Sequence, residues 1–219
     1  MTAFVRHKVK DPSLQHFKNV CALEEAMLRV MQETAPDAPD DSQENWQHLS
    51  LRPINQRLKD LGYDSNPEQL RGLIRSLAHD GQRLANRHGS VELRPIGQDN
   101  YRVKLHQGWE ALQEISGRRR AVARLVLDGI LEKVPENAPA SAELFVEFSS
   151  DEIADKLRSD LFLGRQIRDP LMAIDRGLMF LHEQKVISLQ QGLAVFRQAM
   201  TIQINPQAKG RRYTKGDFQ

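Results

Sequence analysis

Residues 66–105 read NPEQLRGLIRSLAHDGQRLANRHGSVELRPIGQDNYRVKL, and a change of hydrophobic period inside this stretch decides the fold class. It opens with Asn66 as an N-cap, Pro67 at the first helical position and Gln69 three residues after the cap. That spacing lets the two side chains satisfy each other's free amides at a helix start. Leu70, Leu73, Ile74 and Leu77 then recur at helical spacing and predict one buried stripe, leaving Arg71 and Arg75 together on another face. From Val91 the period becomes 2. Val91, Leu93, Tyr101, Val103 and Leu105 alternate with Glu92, Arg94, Arg102 and Lys104 around the turn-like PIGQDN. This predicts a hairpin with one apolar and one largely basic face.

Upstream, FKNVCALEEAMLRVMQETA places Phe17, Val20, Leu23, Met27 and Val30 on one helical stripe. The Pro/Asp-rich PDAPDDSQEN separates it from a shorter helix, SLRPINQRLKDLGYD, with Ile54, Leu58 and Leu61 inward and Gly62 just past its end. The order is helix, helix, helix, two-stranded wing. That is the layout of a winged helix, whose third helix usually meets DNA.

Downstream, residues 109–134 form a long helical pattern in which Gly117 is the point open to a break. LFVEF (144–148) reads as a strand, and the helix SSDEIADKLRSD is capped by Ser149 or Ser150. The helix RDPLMAIDRGLMFLHEQ carries Leu171, Ile174, Leu178 and Leu181 at 3–4–3 spacing, and VISLQ with LAVFRQAMTIQI predicts a second hairpin. The element order thus repeats without visible sequence similarity. The expected architecture is mainly α with small β-hairpins (α+β), as tandem winged-helix domains joined by a helix. Residues 1–106 form the first domain and 107–134 the connecting helix, which is also the first helix of the second module. Residues 135–206 complete the second domain, and 207–219 form a basic tail.

The 219 residues are 40% hydrophobic and 27% charged, enough apolar content for a buried core. No apolar run reaches the roughly 18–20 residues of a membrane span, and the start lacks a signal-peptide stretch. One cysteine, Cys21, excludes a disulfide framework or a multi-cysteine zinc site within the chain. These features predict a soluble cytoplasmic protein with no membrane partner. The formal net charge is only +2, but acidic and basic blocks alternate. Residues 24–46 hold seven acidic residues against one basic, and 135–160 seven against two; 51–104 and 161–219 carry a basic excess.

Catalytic and cofactor signatures are missing. There is no phosphate-binding G-x-x-x-x-G-K-[ST] loop, and His182-Glu183 lacks the second histidine of a zincin because position 186 is Val186. Asp151-Glu152 stands where carboxylates favour a helix dipole, and Cys21 reads as a small buried hydrophobe. The seven histidines show no ligand spacing. No active site, metal site or cofactor is expected in this chain.

What remains is cationic. Arg71 and Arg75 on the third helix, with Arg94, Arg102 and Lys104 on the wing, could neutralise DNA phosphates in the first module. Arg83 and Arg87 follow that helix. In the second module Arg165 and Arg168 precede the third helix, whose start could cradle a phosphate, Arg176 lies on it and Arg197 is on the second hairpin. Arg118, Arg119, Arg120 and Arg124 crowd the connecting helix, where they bind phosphate or pair with the acidic segments.

Residues 181–219, LHEQKVISLQQGLAVFRQAMTIQINPQAKGRRYTKGDFQ, resemble the stretch after the motor domains in large bacterial RecQ-like ATP-dependent DNA helicases. The shared features are a G-L-A-V-x-R-x-A-M-T-I hairpin and a basic R-R-x-T-K-x-D-[FY] segment, and the resemblance spans residues 178–219. It implies a 3′-to-5′ helicase whose winged-helix region grips duplex or fork DNA, through the third helix and wing of each module, beside motor domains of the same parent chain. ATP and magnesium would belong to that motor. The motor motifs and the usual four-cysteine zinc cluster are not in this sequence, so the resemblance implies a non-catalytic, nucleoid-associated accessory region. Repair and defence against foreign DNA are both open as the parent's role. Two other readings stand beside it: a dimerising tandem winged-helix module of a chromosome-organising complex, and a stand-alone transcription regulator.

Overall fold

The computed structural model describes residues 2–7, 10–34, 46–81, 91–105, 108–135 and 144–191. Along them run β1 (Thr2–His7), α1 (Lys10–Thr34), β2 (Gln47–Ser50), α2 (Leu51–Asp60), α3 (Pro67–Gly81), β3 (Val91–Pro95) and β4 (Asn100–Leu105). The second half holds α4 (Gly108–Leu131), β5 (Leu144–Ser149), α5 (Ser150–Ser159), α6 (Leu163–Gln166), α7 (Pro170–Glu183) and β6 (Ser188–Gln191). The described chain is mainly helical with small antiparallel sheets, an α+β arrangement.

Local chemistry sets most boundaries. The Asn66 side chain accepts from the Gln69 amide at 2.9 Å, and Gln69 accepts from the Asn66 amide at 3.2 Å, so α3 starts on the expected reciprocal cap. Gly62 follows α2 at φ 86°, a left-handed conformation that costs glycine least. Ser149 caps α5 by accepting from the Asp151 amide at 3.3 Å. Gly117 does not break α4, which runs through it. Glycine costs a helix interior about 1 kcal/mol, less than the burial of Trp109 and Leu112 before it and Val122, Val126 and Leu127 after it supplies.

Two three-stranded sheets form. In the first, β4 is central between β2 and β3, both antiparallel to it. In the second, the order is β5-β1-β6, again antiparallel. The N-terminal strand β1 therefore lies in the sheet of the second half, across the boundary drawn at residue 106. The predicted second hairpin beyond Gln191, with Arg197, and the tail 207–219 lie outside the described residues.

One apolar cluster runs through both halves. α1 buries the expected Phe17, Val20, Leu23, Met27 and Val30 and also Leu28 and Met31, because α2 and α4 pack on different sides of it. It begins seven residues before the predicted start. α7 buries the expected Ile174, Leu178 and Leu181 and also Phe180, while Leu171, in its first turn, is exposed. Leu61 is likewise exposed, because α2 has ended before it. Gly177 of α7 lies close against α4, where an added Cβ would stand 3.3 Å from the Ala123 backbone.

Candidate nucleic-acid interface

Alternation along β3 and β4 sorts their side chains as predicted. Val91 and Val103 are buried with Leu49 of β2, and Leu93, Tyr101 and Leu105 pack against the core. The opposite face is polar and follows the register. Arg102 stands opposite Arg94 on one side and His48 on the other, giving one row across three strands, and Lys104 stands opposite Glu92. Arg102 and His48 are exposed and Lys104 is half-buried. Arg94 is 67% exposed, 3.6 Å from Glu92, with its guanidinium carbon 4.3 Å from the ring centroid of Trp46. Trp46, just before β2, thus shares the basic face.

Asp99, in the turn between β3 and β4, ties this wing to the helices. Its carboxylate accepts from Arg71 Nη1 of α3 at 3.0 Å and lies 3.6 Å from Arg52 Nε at the start of α2. Arg71 is only 24% exposed. It was expected beside Arg75 as a phosphate contact; here it joins helix to wing. Arg75 is exposed and shares with Arg71, Gln98 and Lys185 a groove of about 680 Å³ between α3 and the end of α7. The far wall of the groove is a contact between the halves. Ser76 donates to Glu183 at 2.8 Å, His16 Nε2 is 2.9 Å from the Gln184 carbonyl, and Lys185 reaches Glu68 at 3.1 Å. Glu183 thereby holds a packing role in place of the incomplete zincin pair.

The arginines of α4 are acid-paired. Arg119 and Arg120 both donate to the fully buried Glu24 of α1, Arg120 at 2.9 Å and also to Glu25 at 3.1 Å. Arg118 meets Glu114 at 3.1 Å and Arg124 meets Asp128 at 2.8 Å. The Arg119 guanidinium also lies 4.4 Å from the Phe180 ring centroid, so the cluster joins α1, α4 and α7. Arg119 and Arg120 are thus neutralised inside the fold, while the pairs of Arg118 and Arg124 lie at its surface. Cys21 sits beside this cluster; burial and the neighbouring Glu24 push its thiol up to about 12, which suits packing and opposes reactivity.

In the second half, Arg165 and Arg168 are exposed, but Arg176 is half-buried, with Nη2 shielded from solvent and without a hydrogen-bond partner among the described residues. The start of α7 holds its own anion: the Asp169 carboxylate accepts from the Met172 amide at 3.0 Å, so the expected phosphate cradle is occupied. The surface here is apolar as well as basic, with Leu161 83% exposed and Phe162, Leu171 and Met179 also exposed.

Trp46 and His48 escaped the sequence reading. In WQHLS the apolar Trp46 and Leu49 stand three apart and show no period of 2, so the segment carries no strand signal of its own. Among the described residues no group of three His, Cys, Asp or Glu could hold a metal ion, and no helix is long and apolar enough to cross a membrane. Comparisons with known protein families, with curated proteins and with solved structures give no match to this chain.

Proposed function

We propose that this chain binds DNA as the non-catalytic region of a RecQ-like ATP-dependent helicase, built from two winged helices. The observation that carries the DNA reading is the basic outer face of the first sheet. Arg94, Arg102 and Lys104 stand there in register, beside a helix that presents Arg75. The topology supports the winged-helix assignment: helix, strand, helix, helix and two strands, with the second hairpin strand central in the sheet. The second half repeats helix, strand, helix, helix, strand around α6. The helicase assignment rests on the resemblance of residues 178–219, and ATP and magnesium belong to the motor domains of the inferred parent, which would be this region's partner.

Fluorescence anisotropy against single-stranded, duplex and forked DNA at two salt concentrations tests the reading. Salt-sensitive binding is expected, and Arg75→Gln with Arg102→Gln and Lys104→Gln should weaken it and flatten the slope of log K against log salt by about 0.7–0.9 per lost phosphate contact. Arg71→Gln should loosen the wing and leave that slope nearly unchanged. Absence of binding to all three DNAs at low salt refutes the proposal.

A second reading, a dimerising protein-interaction module of a chromosome-organising complex, is favoured by one observation. The second half exposes Leu161, Phe162, Leu171 and Met179, with Leu161 and Phe162 consecutive in the chain, and exposed large apolar side chains suit a protein partner. A stable dimer by light scattering, with no DNA affinity, would put this reading first.

A further inference from the structure

We infer that the outer face of the first sheet is a stacking platform for single-stranded DNA, centred on the Trp46–Arg94 pair. The inference rests on the DNA-binding reading and adds to it the form of DNA and the residue that meets a base. A surface that only tracked phosphates would need cations and no aromatic. This face has both. Trp46 stands beside a row of Arg94, Arg102 and His48 with Lys104 next to it, and Glu92 is the single acidic side chain among the paired positions of that face. Arg94 lies over the indole and stays largely exposed, so a planar cation and an aromatic ring are offered together at the surface.

Physical chemistry selects the single strand. Bases in a duplex are already stacked on their neighbours and present only edges to a protein, so a Trp–Arg pair gains nothing from them. An unpaired base has a free π-face, which stacks on an aromatic ring or a guanidinium plane, while neighbouring cations follow the backbone. The strands of the sheet lie about 4.8 Å apart, so Arg94, Arg102 and His48 span roughly 10 Å, enough to accompany more than one nucleotide. Arg71 and Asp99 hold the wing against α3, so the face is set before DNA arrives.

Trp46 makes the test direct, because the chain has two tryptophans and Trp109 is fully buried. Oligothymidylate, titrated into the whole chain, should quench the intrinsic fluorescence, and the quench should vanish in Trp46→Phe despite retained binding. Trp46→Ala should weaken oligothymidylate binding by about 5- to 150-fold, the equivalent of one stacked base, and change binding of a blunt duplex less than about twofold. Arg94→Lys, which keeps the charge and loses the plane, should fall between wild type and Trp46→Ala. A thermal melt matching the wild type establishes that each variant is folded. Oligothymidylate that binds without quenching, or with unchanged affinity for Trp46→Ala, overturns the platform and leaves the DNA reading standing. Absence of binding to every DNA overturns both.

Discussion

Glu24→Gln removes the charge that neutralises two arginines inside the fold, and keeps nearly the same shape. The Glu24 carboxylate is 0% exposed, and the Arg119 side chain that meets it is 4% exposed. Removing one partner of such a pair leaves the other ionised with little water to solvate it, and the cost is about 3–5 kcal/mol. The exposed pair Arg118–Glu114 on the same helix provides the contrast: a helical pair of that kind contributes about 0.3–0.5 kcal/mol. A chain of this length loses about 2–4 °C of melting temperature per kcal/mol, so Glu24→Gln should melt on the order of 6–20 °C lower and Glu114→Gln within about 2 °C of the wild type. Far-UV circular dichroism during heating reads both. Glu24→Leu combined with Arg119→Met should regain most of the loss, because an apolar pair carries no desolvation cost and Arg120 keeps Glu25. If Glu24→Gln melts no lower than Glu114→Gln, the cluster is solvated and does not hold α1 to α4.

Three further outcomes follow from the packing. Cys21, with its thiol pushed up to about 12, should react with a disulfide reagent at pH 8 more than about tenfold slower in the folded chain than in urea, the rate still rising with pH toward about 12, where half of the thiol is ionised; equal rates would refute the burial. Gly177→Leu should cost about 1–3 kcal/mol or more in urea titration, because its side chain must enter the 3.3 Å approach to the Ala123 backbone, and an unchanged midpoint would mean that α4 and α7 do not cross there. Deleting residues 1–9 should open the facing edges of β5 and β6, giving faster amide exchange over residues 144–149 and self-association in light scattering; unchanged protection would refute the central place of β1.

The sequence by itself determined the local structure wherever neighbours in the chain carry the physics. The cap at Asn66, the hairpin 91–105 and its two faces, the Ser149 cap and the core stripes of α1 and α3 follow from side-chain type and spacing within a few residues. Part of the candidate interface was legible for the same reason: alternation alone places Arg94, Arg102 and Lys104 on one side of a hairpin. What each charge does was decided by the tertiary structure, because electrostatic pairing depends on distance in space. Arg71 and Arg75 look equivalent on their helix, yet Asp99, brought in 28 residues later, takes one and leaves the other exposed. Arg119 and Arg120 of α4 look available until α1 brings Glu24 and Glu25 to them. The place of β1 between β5 and β6, and of Trp46 under Arg94, was likewise decided by the fold. A strand's partner and an aromatic ring's cation are selected by long-range register, on which local sequence carries no information.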